Sequence, residues 1–364
     1  MGARQNIPAI AARGGLRYSD LTITDPEATM PVIASSSYRP PPLMAGGHLQ
    51  TVLPSLLRRV DGIGYRRERI PTPDGDFIDL DWSRCGSRQL VLLCHGLEGS
   101  ADAAYIRGMA RAFNQAGWDA VGYNYRGCSG EINRCLRAYH SGATDDLRWV
   151  HRHIGESRTY LSLGLVGFSL GGNLVLKYLG ENVFPATPEL HWGAAVSVPC
   201  DLQSGARQLD RAANLIYRRR FLRTLKAKAR LKTRRYPGCL DASRIAAIRT
   251  IKAFDDWFTA PVHGFRSAED YWQRCSARRF LGGIRVPALI LNALNDPFLT
   301  PACFPYDAAR RSPVLFLETP QSGGHVGFLP SRLRGTFWHE SRVVRFARRH
   351  GVWAAPSVDP GRSR

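Results

Sequence analysis

Residues 167–171, Gly-Phe-Ser-Leu-Gly, constrain this chain more than any other stretch. The apolar run Leu161 to Val166 precedes them, and a helix-forming run, Gly172-Asn173-Leu174-Val175-Leu176-Lys177-Tyr178-Leu179, follows. The pattern predicts a buried strand that turns sharply into a helix, with Ser169 at the corner. Glycines on either side remove the Cβ atoms that would clash in so tight a turn. The geometry matters chemically, because a serine hydroxyl is a poor nucleophile unless it is exposed on such a corner beside a base. The bland alternative is a glycine-rich turn carrying a solvated serine.

A base and an acid are available downstream. Val286-Pro287-Ala288-Leu289-Ile290-Leu291 reads as a buried parallel strand. The turn signal Asn295-Asp296-Pro297 then places Asp296 at its C-terminal edge. A second short strand, Val314 to Leu317, leads to the loop Ser322-Gly323-Gly324-His325. Taken singly, an Asp before Pro is as readily a turn, and a loop His beside glycines is as readily solvated. Ser169, Asp296 and His325 nevertheless stand in the chain order of α/β-hydrolases, each after a strand. In that reading His325 takes the Ser169 proton, and Asp296 fixes its tautomer and stabilises the imidazolium.

The upstream strand Gln89 to Cys94 opens into His95-Gly96-Leu97-Glu98-Gly99-Ser100. Acyl transfer needs two backbone N–H groups aimed at the developing oxyanion. Those of Leu170, directly after the serine, and Leu97, in this loop, are the expected pair. His95 reads as a hydrogen-bonding loop shaper rather than a second base. Cys94 ends a buried strand, where a thiol is inert.

Many separated segments match one family in one order. They include His48-Leu49-Gln50-Thr51, His95 to Gly99, Asn124 to Glu131 and Tyr139-His140-Ser141-Gly142. Gly167 to Asn173, Phe254-Asp255-Asp256, His263-Gly264-Phe265, Asn295 to Phe298 and Gly323 to Phe328 continue the series. Over nearly its whole length the chain resembles the YheT-like branch of the α/β-hydrolases, a family of predicted esterases and lipid-ester hydrolases. The resemblance implies the fold, the triad and a hydrolase activity, and little about the substrate. His140 and Asp145 also have the H-x4-D spacing of an acyltransferase signature. Here the segment precedes a helix over 145–154, and the favoured reading is structural: Ser141 or Thr144 as the helix cap, with Asp145 and Asp146 at its positive N-terminal end. Arg126 and Glu131 are expected to hold the mouth of the site together.

The remaining pattern fits an α/β-hydrolase fold with a mostly parallel central sheet and helices on both faces. At 364 residues and 44% hydrophobic content the chain can form one hydrolase domain over 1–364. Thr72-Pro73-Asp74-Gly75 marks a hairpin turn between strands 67–71 and 76–82. Residues 200–275 have few strand-like runs and many helix formers, and are expected to form a helical cap. Within it Trp257, Phe258, Tyr271 and Trp272 are candidates to line an acyl site. The basic stretch Arg218 to Arg235 is expected to be an amphipathic helix with its cations facing outward. That helix could rest on an anionic membrane, though a solvated face is the favoured reading.

The formal charge of +20 attracts polyanions in general. No zinc-finger, RNA-recognition or homeodomain pattern accompanies it, so no specific nucleic-acid partner is expected. The eight cysteines show no metal-ligand spacing and no C-x-x-C pair. No cofactor and no metal are expected. A cytoplasmic location is expected, because no leader and no run near 18 apolar residues is found. The expected substrate is a small-molecule or lipid ester. Amidase and lipid-acyltransferase activity with the same residues stay open, as does a degenerate scaffold that binds anionic membranes or RNA.

Overall fold

The computed structural model describes residues 31–33, 35–185, 188–331 and 335–351. Among the described residues there are nine strands, which alternate with helices from β4 onward: β1 (Val32–Ile33), β2 (Arg66–Pro71), β3 (Phe77–Ser83), β4 (Gln89–Cys94), β5 (Asp119–Asn124), β6 (Ser162–Phe168), β7 (Glu189–Val196), β8 (Ala288–Leu291) and β9 (Leu315–Glu318). They form one sheet in the order β1-β9-β8-β7-β6-β4-β5-β3-β2. Only the β2–β3 and β3–β5 pairings are antiparallel. The other pairings are parallel.

Burial explains why these runs pair as they do. Every residue of β4, β5 and β6 is buried, as expected of parallel strands covered on both faces. Along β4, Leu90, Leu92 and Cys94 enter one core cluster, while Val91 and Leu93 enter another. The two-residue period of a strand therefore feeds two layers of packing. In β3 the apolar residues Ile78, Leu80 and Trp82 alternate with Asp79 and Asp81. Those carboxylates lie opposite Arg69 and Arg67 of β2 and form ion pairs with them, the cross-strand pairing that stabilises a sheet edge.

The helices are α1 (Gly47–Leu57), α2 (Ala104–Gln115), α3 (Thr144–Glu156), α4 (Leu170–Glu181), α5 (Leu202–Leu209), α6 (Leu215–Arg235), α7 (Ile251–Phe254), α8 (Ala260–Val262), α9 (Ala268–Cys275), α10 (Tyr306–Arg310) and α11 (Trp338–His350). A π-helical turn, Asp255–Thr259, joins α7 to α8. Helices α5 to α9 all lie between β7 and β8 and contribute a hydrophobic cluster of their own, with Leu222, Phe254, Trp257 and Trp272 among its members. Among the described residues no helix is long and apolar enough to cross a membrane.

The chain leaves β4 for β5 on one side and returns to β6 on the other. Loops after the carboxyl ends of strands at such a switch point are where open α/β sheets bind ligands. The loops after β4, β6, β8 and β9 carry Leu97, Ser169, Asp296 and His325, respectively.

Candidate active site

Ser169 sits between β6 and α4 with φ 52° and ψ −119°, a left-handed corner for a non-glycine residue. Such a conformation costs on the order of 1–3 kcal/mol and persists only where its surroundings enforce it. Here the Ser169 N–H donates to the Val196 carbonyl at 2.9 Å, and its own carbonyl accepts from Gly172 N–H at 2.9 Å. The flanking glycines are sterically required. A Cβ on Gly167 would lie 2.1 Å from the Gly171 carbonyl oxygen, and one on Gly171 would lie 2.4 Å from that of Cys94.

His325 and Asp296 meet across two loops. His325 Nδ1 lies 2.8 Å from Asp296 Oδ2. The second oxygen, Oδ1, accepts from Phe298 N–H at 2.8 Å, and the carboxylate is fully shielded from solvent. The Phe298 ring packs on the imidazole at 4.3 Å between centroids. Ser169 and His325 border the same cavity. Among the described residues no hydrogen bond links the Ser169 hydroxyl to His325, and such contacts often close only when substrate binds.

The loop after β4 lies against the serine: a Cβ on Gly96 would approach Ser169 Cβ to 3.2 Å. Its N–H groups are unevenly engaged. That of Gly96 donates to Tyr105 Oη at 3.0 Å, and that of Glu98 to Tyr139 Oη at 2.9 Å. The Leu97 N–H between them has no hydrogen-bond partner among the described residues. Leu170 opens α4, where a first-turn N–H has no partner within the helix. Leu97 and Leu170 both border the cavity.

Comparison with known proteins agrees with this architecture. Residues 89–331 match the family model for the alpha/beta hydrolase fold. The YheT protein of Escherichia coli (strain K12) is 37% identical over 309 residues, covering 81% of this chain and 88% of that one. The chain belongs to the alpha/beta hydrolase fold family, in its YheT-like branch. Phospholipase ABHD3 of Mus musculus is 31% identical over 290 residues, with 77% of this hydrolase and 70% of the relative covered. A solved esterase of Pyrococcus furiosus shares the fold at TM-score 0.53 and 18% identity, over 80% of this chain and 96% of that one.

Other groups in this hydrolase have structural partners instead. His95 is fully buried, and burial pushes its pKa down to about 3. Its ring bonds the Gly96 carbonyl through Nδ1 and accepts from Tyr125 N–H through Nε2. Burial pushes the Cys94 thiol up to about 12. His140 Nδ1 accepts from Gly142 N–H, whereas Asp145 pairs with Arg137, so no hydrogen bond joins His140 to Asp145 among the described residues. Arg126 is held by Asp146, Asp74 and Asp76, and Glu131 by Arg69. Asp255 lies in the π-helical turn and accepts from Thr259 Oγ1 and Trp272 Nε1.

Three expectations need correction. Helix α3 begins after Ala143 with no side-chain cap hydrogen bond, so neither Ser141 nor Thr144 caps it. Helix α6 does not turn all its cations outward: Lys228 and Lys232 border the cavity, in phase with Phe221 and Leu225. A stripe that begins with apolar residues continues inward whatever follows it on the helical repeat. Of the four aromatics in the helical segment, Phe258, Tyr271 and Trp272 border the cavity. Trp257 instead donates its Nε1 to the Asp241 carbonyl.

The supports of the site were not evident from sequence. Thr51 Oγ1 accepts the His325 N–H at 2.9 Å, Ser197 Oγ accepts that of Val326, and Asn295 Oδ1 accepts that of Gly324. A Cβ on Gly327 would sit 1.9 Å from the Gln50 carbonyl, so α1 lies hard against the histidine loop. Asn173, buried on α4, donates to the Ser141 and Cys275 carbonyls and accepts from Ala277 N–H. It thereby ties the helical segment to the helix behind Ser169. The matching segments His48 to Thr51, Gly167 to Asn173 and Asn295 to Phe298 carried the sequence signal for Thr51, Asn173 and Asn295, and Ser197 had none.

Proposed function

We propose that this protein is a serine esterase that cleaves carboxylic esters, of acyl or lipid type, through a covalent acyl-enzyme. One observation carries the reading. Ser169, on its enforced left-handed corner, shares a cavity with a His325–Asp296 pair and with two backbone N–H groups lacking partners among the described residues.

Asp296 accepts from Nδ1–H and so leaves Nε2 of His325 as the basic nitrogen. Nε2 takes the Ser169 proton as Oγ attacks the ester carbonyl. The N–H groups of Leu97 and Leu170 receive the developing oxyanion. The imidazolium then protonates the leaving alcohol. Water, deprotonated by the same nitrogen, releases the acid and restores Ser169.

Residues 200–275 act in this reading as a cap within a single hydrolase domain. Phe254, Phe258 and Trp272 would roof an apolar acyl site. The exposed side of α6, with Arg219, Arg220 and Arg223, would draw the enzyme to anionic lipid. Relatives named phospholipase and monoacylglycerol lipase support an acyl or lipid ester as substrate.

Ester turnover by Ser169→Ala tests the assignment. The variant should keep the wild-type thermal midpoint and lose activity on p-nitrophenyl esters by about 10³-fold or more. Wild-type turnover in the folded variant would refute it.

A further inference from the structure

Five residues of α6 border the cavity, Phe221, Leu225, Lys228, Ala229 and Lys232, spaced as one face of a helix. The two ends of this stripe have different surroundings. Phe221 packs toward Phe298, which in turn covers the His325 ring. Lys232 lies eleven residues further on, about 16 Å along the helix axis. One wall of the cavity therefore runs from an apolar end beside His325 to a cationic end.

The charges at the cationic end do not cancel one by one. Lys228 Nζ pairs with Glu98 Oε1 at 2.9 Å. Arg126 is taken by three aspartates. Asp76, a carboxylate whose charge acts on Lys232, already accepts from Arg126, Asn133 and the N–H groups of Phe77, Arg134 and Cys135. Asp255, the other acid on the cavity wall, is occupied by Thr259 and Trp272. Lys232 is 1% exposed, and among the described residues it has no carboxylate within ion-pair distance. Its ammonium donates to the carbonyls of Asn133 and Cys135. Two of its three N–H donors are then used and one is left.

An ammonium buried without a counter-ion is expensive. Two carbonyls could be tied as well by a neutral donor, so they do not explain the charge. Burial lowers the Lys232 pKa to about 8, and an anion arriving beside it would restore the full charge.

We propose that this end of the cavity, formed by Lys232 with Lys228, takes a carboxylate or phosphate group carried by the ester substrate. The proposal rests on the esterase reading of Ser169. The substrate is then an amphiphile in reverse of a simple fatty ester: its apolar span lies along Phe221 and Leu225, and its anionic tip lies at Lys232.

Paired substrates test this. One pair is a series of p-nitrophenyl monoesters of dicarboxylic acids of increasing length, each beside its ω-methyl ester. A second pair carries a terminal phosphate or a terminal hydroxyl on the same acyl chain. A third pair, 1-acylglycerol 3-phosphate and 1-acylglycerol, moves the charge to the alcohol side. Wild type should favour the charged member of at least one pair in kcat/KM, and the favoured pair identifies the anion and its side. Lys232→Met should reduce that preference at least tenfold. Should Lys232→Met fail to fold, Lys232→Gln keeps donors for the two carbonyls without the charge and should reduce it equally. No preference for any charged member in wild type overturns the proposal, as does a preference that survives loss of the Lys232 charge. Turnover of the neutral members by wild type separates that failure from failure of the esterase reading.

Discussion

Asp255 offers a test of the buried electrostatics around the cavity. Burial is the largest influence on its carboxyl and, against hydrogen bonds from Thr259 and Trp272, pushes its pKa from 3.8 to about 7. The carboxylates of Asp256 and Asp210 act in the same upward direction. The sign follows from proton binding. Between these two values the unfolded chain has released the proton while the folded protein holds it, so this group lowers stability as pH rises through that window. Below pH 3.8 the penalty vanishes, and above about 7 it is constant. The difference between pH 5 and pH 8 is roughly 3 kcal/mol. Asp255→Asn cannot ionise, and it keeps an oxygen for Trp272 Nε1 and a donor for Thr259 Oγ1. Relative to wild type, its thermal midpoint should rise by several degrees on going from pH 5 to pH 8. A gap that stays constant over this range, or closes as pH rises, would refute the assignment of Asp255 as a buried acid kept protonated.

Other variants probe the site and its frame. Asp296→Asn should lower kcat by about 10³–10⁴-fold with KM little changed, because the amide favours the wrong imidazole tautomer; Asp255→Asn and Asp256→Asn should stay near wild type in kcat, and the reverse pattern would give the acid role to the helical segment. Gly171→Ala places a methyl against two backbone carbonyls, those of Cys94 and His95. It should cost about 1–3 kcal/mol in urea denaturation and lower kcat by displacing the loop that bears Leu97. Arg58→Met strands the buried Glu340 carboxylate that Arg58 pairs with and should cost about 3–5 kcal/mol; the double variant Arg58→Met, Glu340→Met should recover much of that loss.

The sheet was readable because its inner strands are buried on both faces. Runs such as Gln89 to Cys94 and Ser162 to Phe168 stay apolar without alternation, and glycines and turn residues bound them. The placement of Ser169, Asp296 and His325 after strand ends was legible for a related reason, since the runs before them carry the same apolar signal. The sequence could not show what holds them. Thr51 and Ser197 reach the histidine loop across more than a hundred residues of chain, and a lone hydroxyl carries no local signature of such a contact. The inward turn of Lys228 and Lys232 runs against their charge and follows the helical period instead. The spacing from Phe221 through Leu225 already aimed them at the cavity. The proton on Asp255 depends on burial in the assembled helices, which composition does not reveal.

Covalent labelling asks of the protein itself whether Ser169 is the nucleophile of an intact Ser-His-Asp site. Wild-type protein would be treated with a fluorophosphonate and followed by intact mass and peptide mapping. A single adduct is expected, on the peptide holding Gly167 to Gly171. Labelling should be abolished in Ser169→Ala and strongly slowed in His325→Ala. An adduct on another residue, or a folded wild-type protein that clears the same esters without ever labelling at Ser169, would contradict that role for Ser169.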